Sequence, residues 1–164
     1  MTLVKLLCAA VISIGMPRPD VACEHMETVV EAASANDVDP FIMLGLIHVE
    51  SRWLATARSS SNACGLTQIL PRYTGSRKTG VPKLTCEELY DPTTSIIMGS
   101  KTFSYWLKSY ARGNYKVALC GYNKGFRCKG DNPHPTGMSY AAKVMRQAQQ
   151  LRREVAKIEE EACP

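Results

Sequence analysis

Asp39-Pro-Phe-Ile-Met-Leu-Gly-Leu-Ile-His-Val-Glu-Ser-Arg-Trp-Leu54 reads as one helix. Asp39 is placed as N-cap and Pro40 at the first helical position, where its missing N–H costs nothing. One ionisable group stands where such a helix should bury its apolar stripe. The helical neighbours of Glu50 are Met43, Leu46, Ile47, Trp53 and Leu54, all apolar, while the nearest cation, Arg52, points elsewhere at i+2. A carboxylate so placed loses hydration without gaining a counter-charge, which favours its protonated form near neutral pH. That is the state a general acid requires. The same residue at a frayed helix end would be an ordinary surface glutamate, and the segments downstream decide between the two readings.

Those segments are Ser59-Ser-Ser-Asn-Ala-Cys-Gly-Leu-Thr-Gln-Ile-Leu-Pro71, Ala118-Leu-Cys-Gly-Tyr-Asn-Lys-Gly125 and Tyr140-Ala-Ala-Lys-Val144. Together with Glu50-Ser51, in this order and spacing, they resemble the soluble lytic transglycosylase family of the lysozyme-like superfamily, enzymes that cleave the glycan strands of peptidoglycan. Each motif is weak alone, and the four in register are specific. The resemblance runs over about residues 36 to 148. It implies that Glu50 is the catalytic acid, followed by Ser51. It places the family's Gly-Leu-Met-Gln element on Gly65, Leu66, Thr67 and Gln68, its Ala-Tyr-Asn element on Gly121, Tyr122 and Asn123, and a tyrosine facing the catalytic carboxyl on Tyr140. Thr67 and Gly121 depart from the expected Met and Ala, which bears on subsite shape more than on chemistry. The substrate-binding set expected on this basis is Ser51, Gly65, Leu66, Gln68, Tyr122, Asn123 and Tyr140.

At 164 residues the chain is sized for one domain with a single substantial core. Residues 1–22 begin with one early lysine and a short apolar run, followed by Ser13, Gly15, Pro17 and Pro19. This pattern resembles a secretory signal peptide, with an uncleaved short anchor or a buried helix of the domain as rival readings. Residues 23–150 are read as the catalytic domain and 151–164 as a charged helix end and tail. Export implies a periplasmic or extracytoplasmic location, with a virion-associated one as the alternative. Of seven cysteines, removal of the segment carrying Cys8 leaves six: Cys23, Cys64, Cys86, Cys120, Cys128 and Cys163. An even remainder agrees with an oxidising compartment and up to three disulfides among 15 pairings. Cys120 with Cys128 is the favoured pair, because the turn-rich stretch around Gly125 folds the chain back between them. No cysteine pair has zinc-knuckle spacing and His25, His48 and His134 are scattered, so neither a metal nor a cofactor is expected.

Periodicity and caps predict an all-α single domain, with at most a minor hairpin in the loop after Pro71, and the resemblance implies that it is lysozyme-like. The expected helices cover about residues 24 to 35, 40 to 55, 65 to 70, one turn after Thr85, 92 to 112, 115 to 122, and one from about Ser139 onward. Thr85-Cys-Glu-Glu88 fits a capping box. The C-terminal run from Arg152 to Glu161 reads as a solvated charged face.

Glycoside cleavage ordinarily takes two carboxyl groups. Asp91 reads as a helix cap and Asp131 as a loop residue, so a second carboxyl is not evident. The resemblance implies a route with one: Glu50 acts first as acid and then as base, and the sugar's own C6 hydroxyl closes onto C1 to leave a 1,6-anhydro end. Two other readings stay open. One is a catalytically silent peptidoglycan-binding or assembly protein of an envelope-spanning machine or virion, and the other is a hydrolytic muramidase. The expected partners are peptidoglycan glycan strands and, beyond them, a secretion, conjugation or pilus machine or virion proteins. A membrane enters only through an uncleaved N-terminal segment. The formal charge of +5 suits an anionic substrate. Apart from Arg72, Arg77, Lys78 and Lys83 the cations are dispersed and not interleaved with aromatics, so nucleic acid is not an expected partner.

Overall fold

The computed structural model describes residues 1–163, so Pro164, the end of the expected tail, lies outside the described residues. The described residues form eight α-helices: α1 (Leu3–Ser13), α2 (Pro19–Glu24), α3 (Met26–Ala35), α4 (Pro40–Ser51), α5 (Cys86–Leu89), α6 (Pro92–Tyr105), α7 (Tyr115–Lys124) and α8 (Pro135–Ala162). A π-helical turn, Trp106–Tyr110, extends α6, and a 3₁₀ turn covers Pro71–Tyr73. Among the described residues the only β features are isolated bridges joining Arg58 to Cys64 and Cys64 to Ile69. No described helix is long and apolar enough to cross a membrane.

Local chemistry starts most of these helices. Asp39 accepts the Phe41 N–H at 2.9 Å with Pro40 in the first turn. Asp91 does the same for Thr94 at 2.9 Å ahead of Pro92. Thr85 and Glu88 form both arms of a capping box, at 3.3 and 2.7 Å. Asn114 caps α7 through the Val117 N–H.

The long helix α8 is the organising element. Over 28 residues, or roughly 42 Å of axis, it packs along α1, α4 and α7. Its buried face carries Tyr140, Ala141, Val144, Ala148, Leu151 and Val155. Helix α4 lies antiparallel to it, with Arg152 paired to Asp39 at one end and Tyr140 meeting Glu50 at the other. Between these points Gly45 lets the backbones touch: a Cβ there would fall 2.7 Å from the Val144 carbonyl oxygen. A larger residue would force the helices apart and move Glu50 relative to Tyr140. The main core gathers around α4, with Met43, Leu44, Leu46, Ile47, Trp53, Phe103 and Leu119 fully buried. A second, smaller cluster of Cys64, Ile69, Val81, Leu84, Cys86 and Leu89 underlies the long segment between α4 and α6.

Several expectations are corrected. Helix α4 ends at Ser51, because Arg52 and Trp53 both take left-handed backbone conformations (φ 50° and 63°). Trp53 is buried nonetheless, folded back under the helix rather than continuing it, and Leu54 is exposed. Residues 65–70 form bridged turns instead of a short helix. Helix α8 begins at Pro135, four residues earlier than expected, where His134 Nδ1 accepts the Gly137 N–H. The loop after Pro71 holds no strand; it is closed by a bond from the Gly75 N–H to the Val81 carbonyl. The charged end of α8 is not wholly solvated, since Leu151 and Val155 are buried and the Ser13 hydroxyl donates to Glu154.

In the 164-residue chain the N-terminal residues pack on the domain as α1. Leu6, Leu7, Ala10 and Val11 of α1 are buried against the rest of the domain, and Cys8 bonds to Cys23. An apolar run of this length serves equally as a leader core or as a buried helix, and here its stripe is complemented by α3 and α8. The remaining bonds are Cys64–Cys86 and Cys120–Cys128. Cys163, counted among the expected half-cystines, is exposed and unbonded, and Cys8 takes its place in the even set.

Candidate active site

Glu50 occupies the last turn of α4, and its carboxyl accepts a 2.7 Å hydrogen bond from the Tyr140 hydroxyl of α8. Burial pushes its pKa up to about 7, against the smaller opposing effect of the Tyr140 bond. The group therefore exchanges its proton in the neutral range, as a residue that serves alternately as acid and base must. Around it Tyr140 and Tyr122 are driven well above the usual phenol range, first by burial and then by the charge of Glu50. Both phenols stay protonated and act as hydrogen-bond donors.

Tyr122, on the last turns of α7, donates to the Thr67 carbonyl at 2.7 Å. This bond joins the 65–68 loop to the wall that carries Glu50 and Tyr140. The loop is docked onto α6 by Thr67, which is fully buried. Its N–H donates to the Ser95 hydroxyl at 3.1 Å and its own hydroxyl donates to the Ser95 carbonyl at 2.9 Å. Gly65 has φ +81°, and a Cβ there would sit 2.1 Å from the Leu89 carbonyl oxygen. The close approach it permits is to the end of α5.

The expected binding residues thus divide. Glu50, Tyr140, Tyr122 and the Thr67 backbone are brought together. Asn123, beside Tyr122, keeps a buried Oδ1 with no hydrogen-bond partner, an orphan acceptor of the kind that ligand donors satisfy. Gln68 spends its amide donor on the Ala57 and Gly65 carbonyls, at 3.1 and 3.0 Å, and so fastens its own loop. Ser51 is buried with its hydroxyl on the Ile47 carbonyl, and Leu66 is a core residue. Asp91 caps α6 through Thr94, and Asp131 is an exposed loop residue; no carboxylate is among the groups that shift Glu50.

Sequence reasoning missed Ser95 and Gly99, which make the Thr67 departure intelligible. A Cβ at Gly99 would approach the Thr67 side chain to 2.5 Å, so α6 offers this loop a small residue and two acceptors instead of room for a long thioether. It also missed the indole N–H of Trp53, buried without a partner.

A family model described as the transglycosylase SLT domain matches residues 27–145. The membrane-bound lytic murein transglycosylase E of Buchnera aphidicola is 33% identical over 90 residues, which are 51% of this chain and 40% of that protein. Among solved structures, an inactive Glu-to-Gln mutant of the lytic transglycosylase Slt of Pseudomonas aeruginosa superimposes with a TM-score of 0.70 at 18% identity. That superposition covers 92% of this chain and 30% of Slt. The chain spans less than half the length of either relative.

Proposed function

The protein belongs to the transglycosylase SLT domain family, and from that premise we propose that it is a peptidoglycan lytic transglycosylase, cleaving the β-1,4 bond between N-acetylmuramic acid and N-acetylglucosamine. The observation that carries the reading is the half-buried Glu50 carboxyl, with a pKa raised to about 7 and a single tyrosine holding it. The names of both relatives point the same way.

The reaction needs no water. Protonated Glu50 gives its proton to the glycosidic oxygen as the C1–O bond breaks, and the substrate's N-acetyl group stabilises the electron-poor C1 centre. The carboxylate left behind then takes the proton of the C6 hydroxyl on the same sugar. That oxygen forms the new bond to C1, leaving a 1,6-anhydro end and restoring Glu50 to its starting state. Tyr140 holds the carboxyl in place through both steps, while the unpartnered Asn123 Oδ1 beside Tyr122 receives a sugar amide or hydroxyl. The three disulfides agree with work in an oxidising compartment outside the cytoplasm. The role is local wall opening or remodelling for a secretion, conjugation or pilus machine, or for phage entry.

Mass spectrometry of the products released from purified peptidoglycan tests this, with Glu50→Gln run beside the wild type. Anhydromuropeptides from the wild type and none from the variant support the reading. Reducing ends would replace it with hydrolysis, and no product from either protein with retained binding would replace it with a silent assembly role.

A further inference from the structure

Phe126 is 69% exposed, yet it is not a loose side chain. Its ring rests on Trp106 at 4.9 Å between centroids and meets Tyr110 edge-on at 5.5 Å. Trp106 in turn meets Tyr105 at 5.4 Å. Both of these rings are half-buried, so three aromatic side chains reach the surface as one contiguous patch. The loop beneath is fixed at several points. The Cys120–Cys128 bond closes the chain on either side of Phe126, the Cys128 N–H donates to the Tyr110 hydroxyl at 3.1 Å, and the Arg127 carbonyl accepts the His134 N–H at 2.8 Å. Gly121, standing where the family carries alanine, gives Trp106 room to sit against α7. The patch is thus built on this chain's own departure from the family pattern. An exposed ring held still has little freedom to lose on binding, which is the property of a contact anchor.

The surroundings say which kind of ligand suits it. Arg127 and Lys129 follow Phe126 in the chain and are exposed, and the Lys129 ammonium lies 4.4 Å from the centre of the Tyr110 ring. Aromatic faces with donors at their edge match a sugar better than the apolar side chains of a partner protein. A β-1,4-linked N-acetyl sugar turns its axial C–H bonds up and down and keeps its hydroxyls and N-acetyl group around its rim. The C–H face is attracted to the electron-rich face of an aromatic ring, and the oxygens of the rim accept from guanidinium and ammonium donors. Position agrees, because Phe126 follows the cleft residue Asn123 by three positions, a span of at most about 11 Å. We propose that Phe126, with Trp106 and Tyr105 beside it, is a second glycan-holding surface, which keeps the enzyme on a peptidoglycan strand outside the bond being cleaved. The inference rests on the function proposed above and adds to it a binding site away from the reacting atoms.

Cosedimentation with purified peptidoglycan sacculi tests binding without turnover, using Glu50→Gln alone and combined with Phe126→Ala or with Phe126→Tyr. Phe126 is exposed, so its truncation leaves the fold intact. The expected result is binding weakened about tenfold by Phe126→Ala, as the loss of one stacked ring entails, and retained by Phe126→Tyr, which keeps the ring. Equal binding by all three proteins, or equal loss with alanine and tyrosine, would overturn the proposal. Cleavage gives the second readout, in an otherwise wild-type chain. The ratio of kcat/KM on sacculi to kcat/KM on a soluble tetrasaccharide of alternating N-acetylglucosamine and N-acetylmuramic acid should fall about tenfold in Phe126→Ala. An equal fall on both substrates would put Phe126 in the catalytic cleft or the fold, and an unchanged ratio would leave the patch to a partner protein; either outcome rejects a second glycan surface. Because the binding measurement uses Glu50→Gln, a ring-dependent affinity for sacculi supports the surface even if the wild type releases no product, which separates this inference from the proposed activity.

Discussion

The indole of Trp106 lies against the backbone of Gly121 so closely that a Cβ added there would fall 2.6 Å from its Cε3 and 3.1 Å from the Tyr110 ring. The π-helical turn that ends α6 places Trp106 on this spot, where it also meets Tyr110 edge-on and Phe126 at 4.9 Å between ring centroids. The glycine found where the family carries alanine is therefore matched to an aromatic neighbour one helix away. Gly121→Ala should cost about 1 to 3 kcal/mol by overpacking. Adding Trp106→Leu should recover part of that loss, a non-additivity readable in denaturant midpoints of the two single variants and the double.

The raised pKa of Glu50 makes activity and stability depend on pH in predictable directions. Cleavage should fall about tenfold per pH unit above roughly pH 7, as the proton donor ionises. For stability, the folded state binds the proton more tightly than the unfolded chain, whose carboxyl keeps its ordinary value of 4.5. The group's contribution is thus most favourable below about 4.5 and is lost as pH rises through about 7. Glu50→Gln should lack this dependence and be the more stable protein above pH 7. Its advantage should be at most about 3 kcal/mol, reduced by the solvent-facing edge of the side chain. Thermal melts of both proteins from pH 4 to 9 (roughly the span set by the two pKa values) check the crossing.

Tyr140→Phe removes the one hydrogen bond that favours ionised Glu50. The alkaline limb of the pH–rate profile should move upward, while kcat drops by roughly tenfold or more because the carboxyl loses its orientation. A merely structural tyrosine would lower the rate without moving the limb.

Thr67→Val keeps shape and deletes the hydroxyl, leaving the Ser95 carbonyl without its side-chain donor. The expected cost is about 1 to 2 kcal/mol. Thr67→Met, which restores the residue usual in the family, should be worse because of the contact with Gly99. Chemical denaturation ranks the two.

Peptide mapping under non-reducing conditions should find Cys8 joined to Cys23, Cys64 to Cys86 and Cys120 to Cys128, with Cys163 open to alkylation before reduction. Protein recovered from an exporting cell with its first residues removed would instead lack the Cys8–Cys23 bond and show Cys23 either as a second free thiol or joined to Cys163.

What was legible in the sequence was short-range. Asp39-Pro40, Asp91-Pro92 and Thr85 with Glu88 announce helix starts because cap chemistry is contained within four residues. The left-handed pair Arg52-Trp53 announces nothing, since neither residue prefers that conformation and the burial of Trp53 compensates for it. The signal-like run of α1 was ambiguous because composition does not say whether a partner surface exists; α8 provides it. Tyr140 entered the site through the resemblance alone, and the roles of Ser95 and Gly99 depended on contacts between segments about thirty residues apart that no motif records.

The packing of α8 over α4 has a consequence in time. Tyr140 follows Glu50 by 90 positions, and the helix that carries it also covers α1 and α7. While the chain is being synthesised, α4 is complete long before its cover arrives, and its carboxylate, still wet, has the acidity of any surface glutamate. The nascent protein thus emerges before the Glu50 carboxyl acquires the raised pKa of the folded state. Docking of the final helix both finishes the fold and gives the Glu50 carboxyl its Tyr140 bond and its raised pKa.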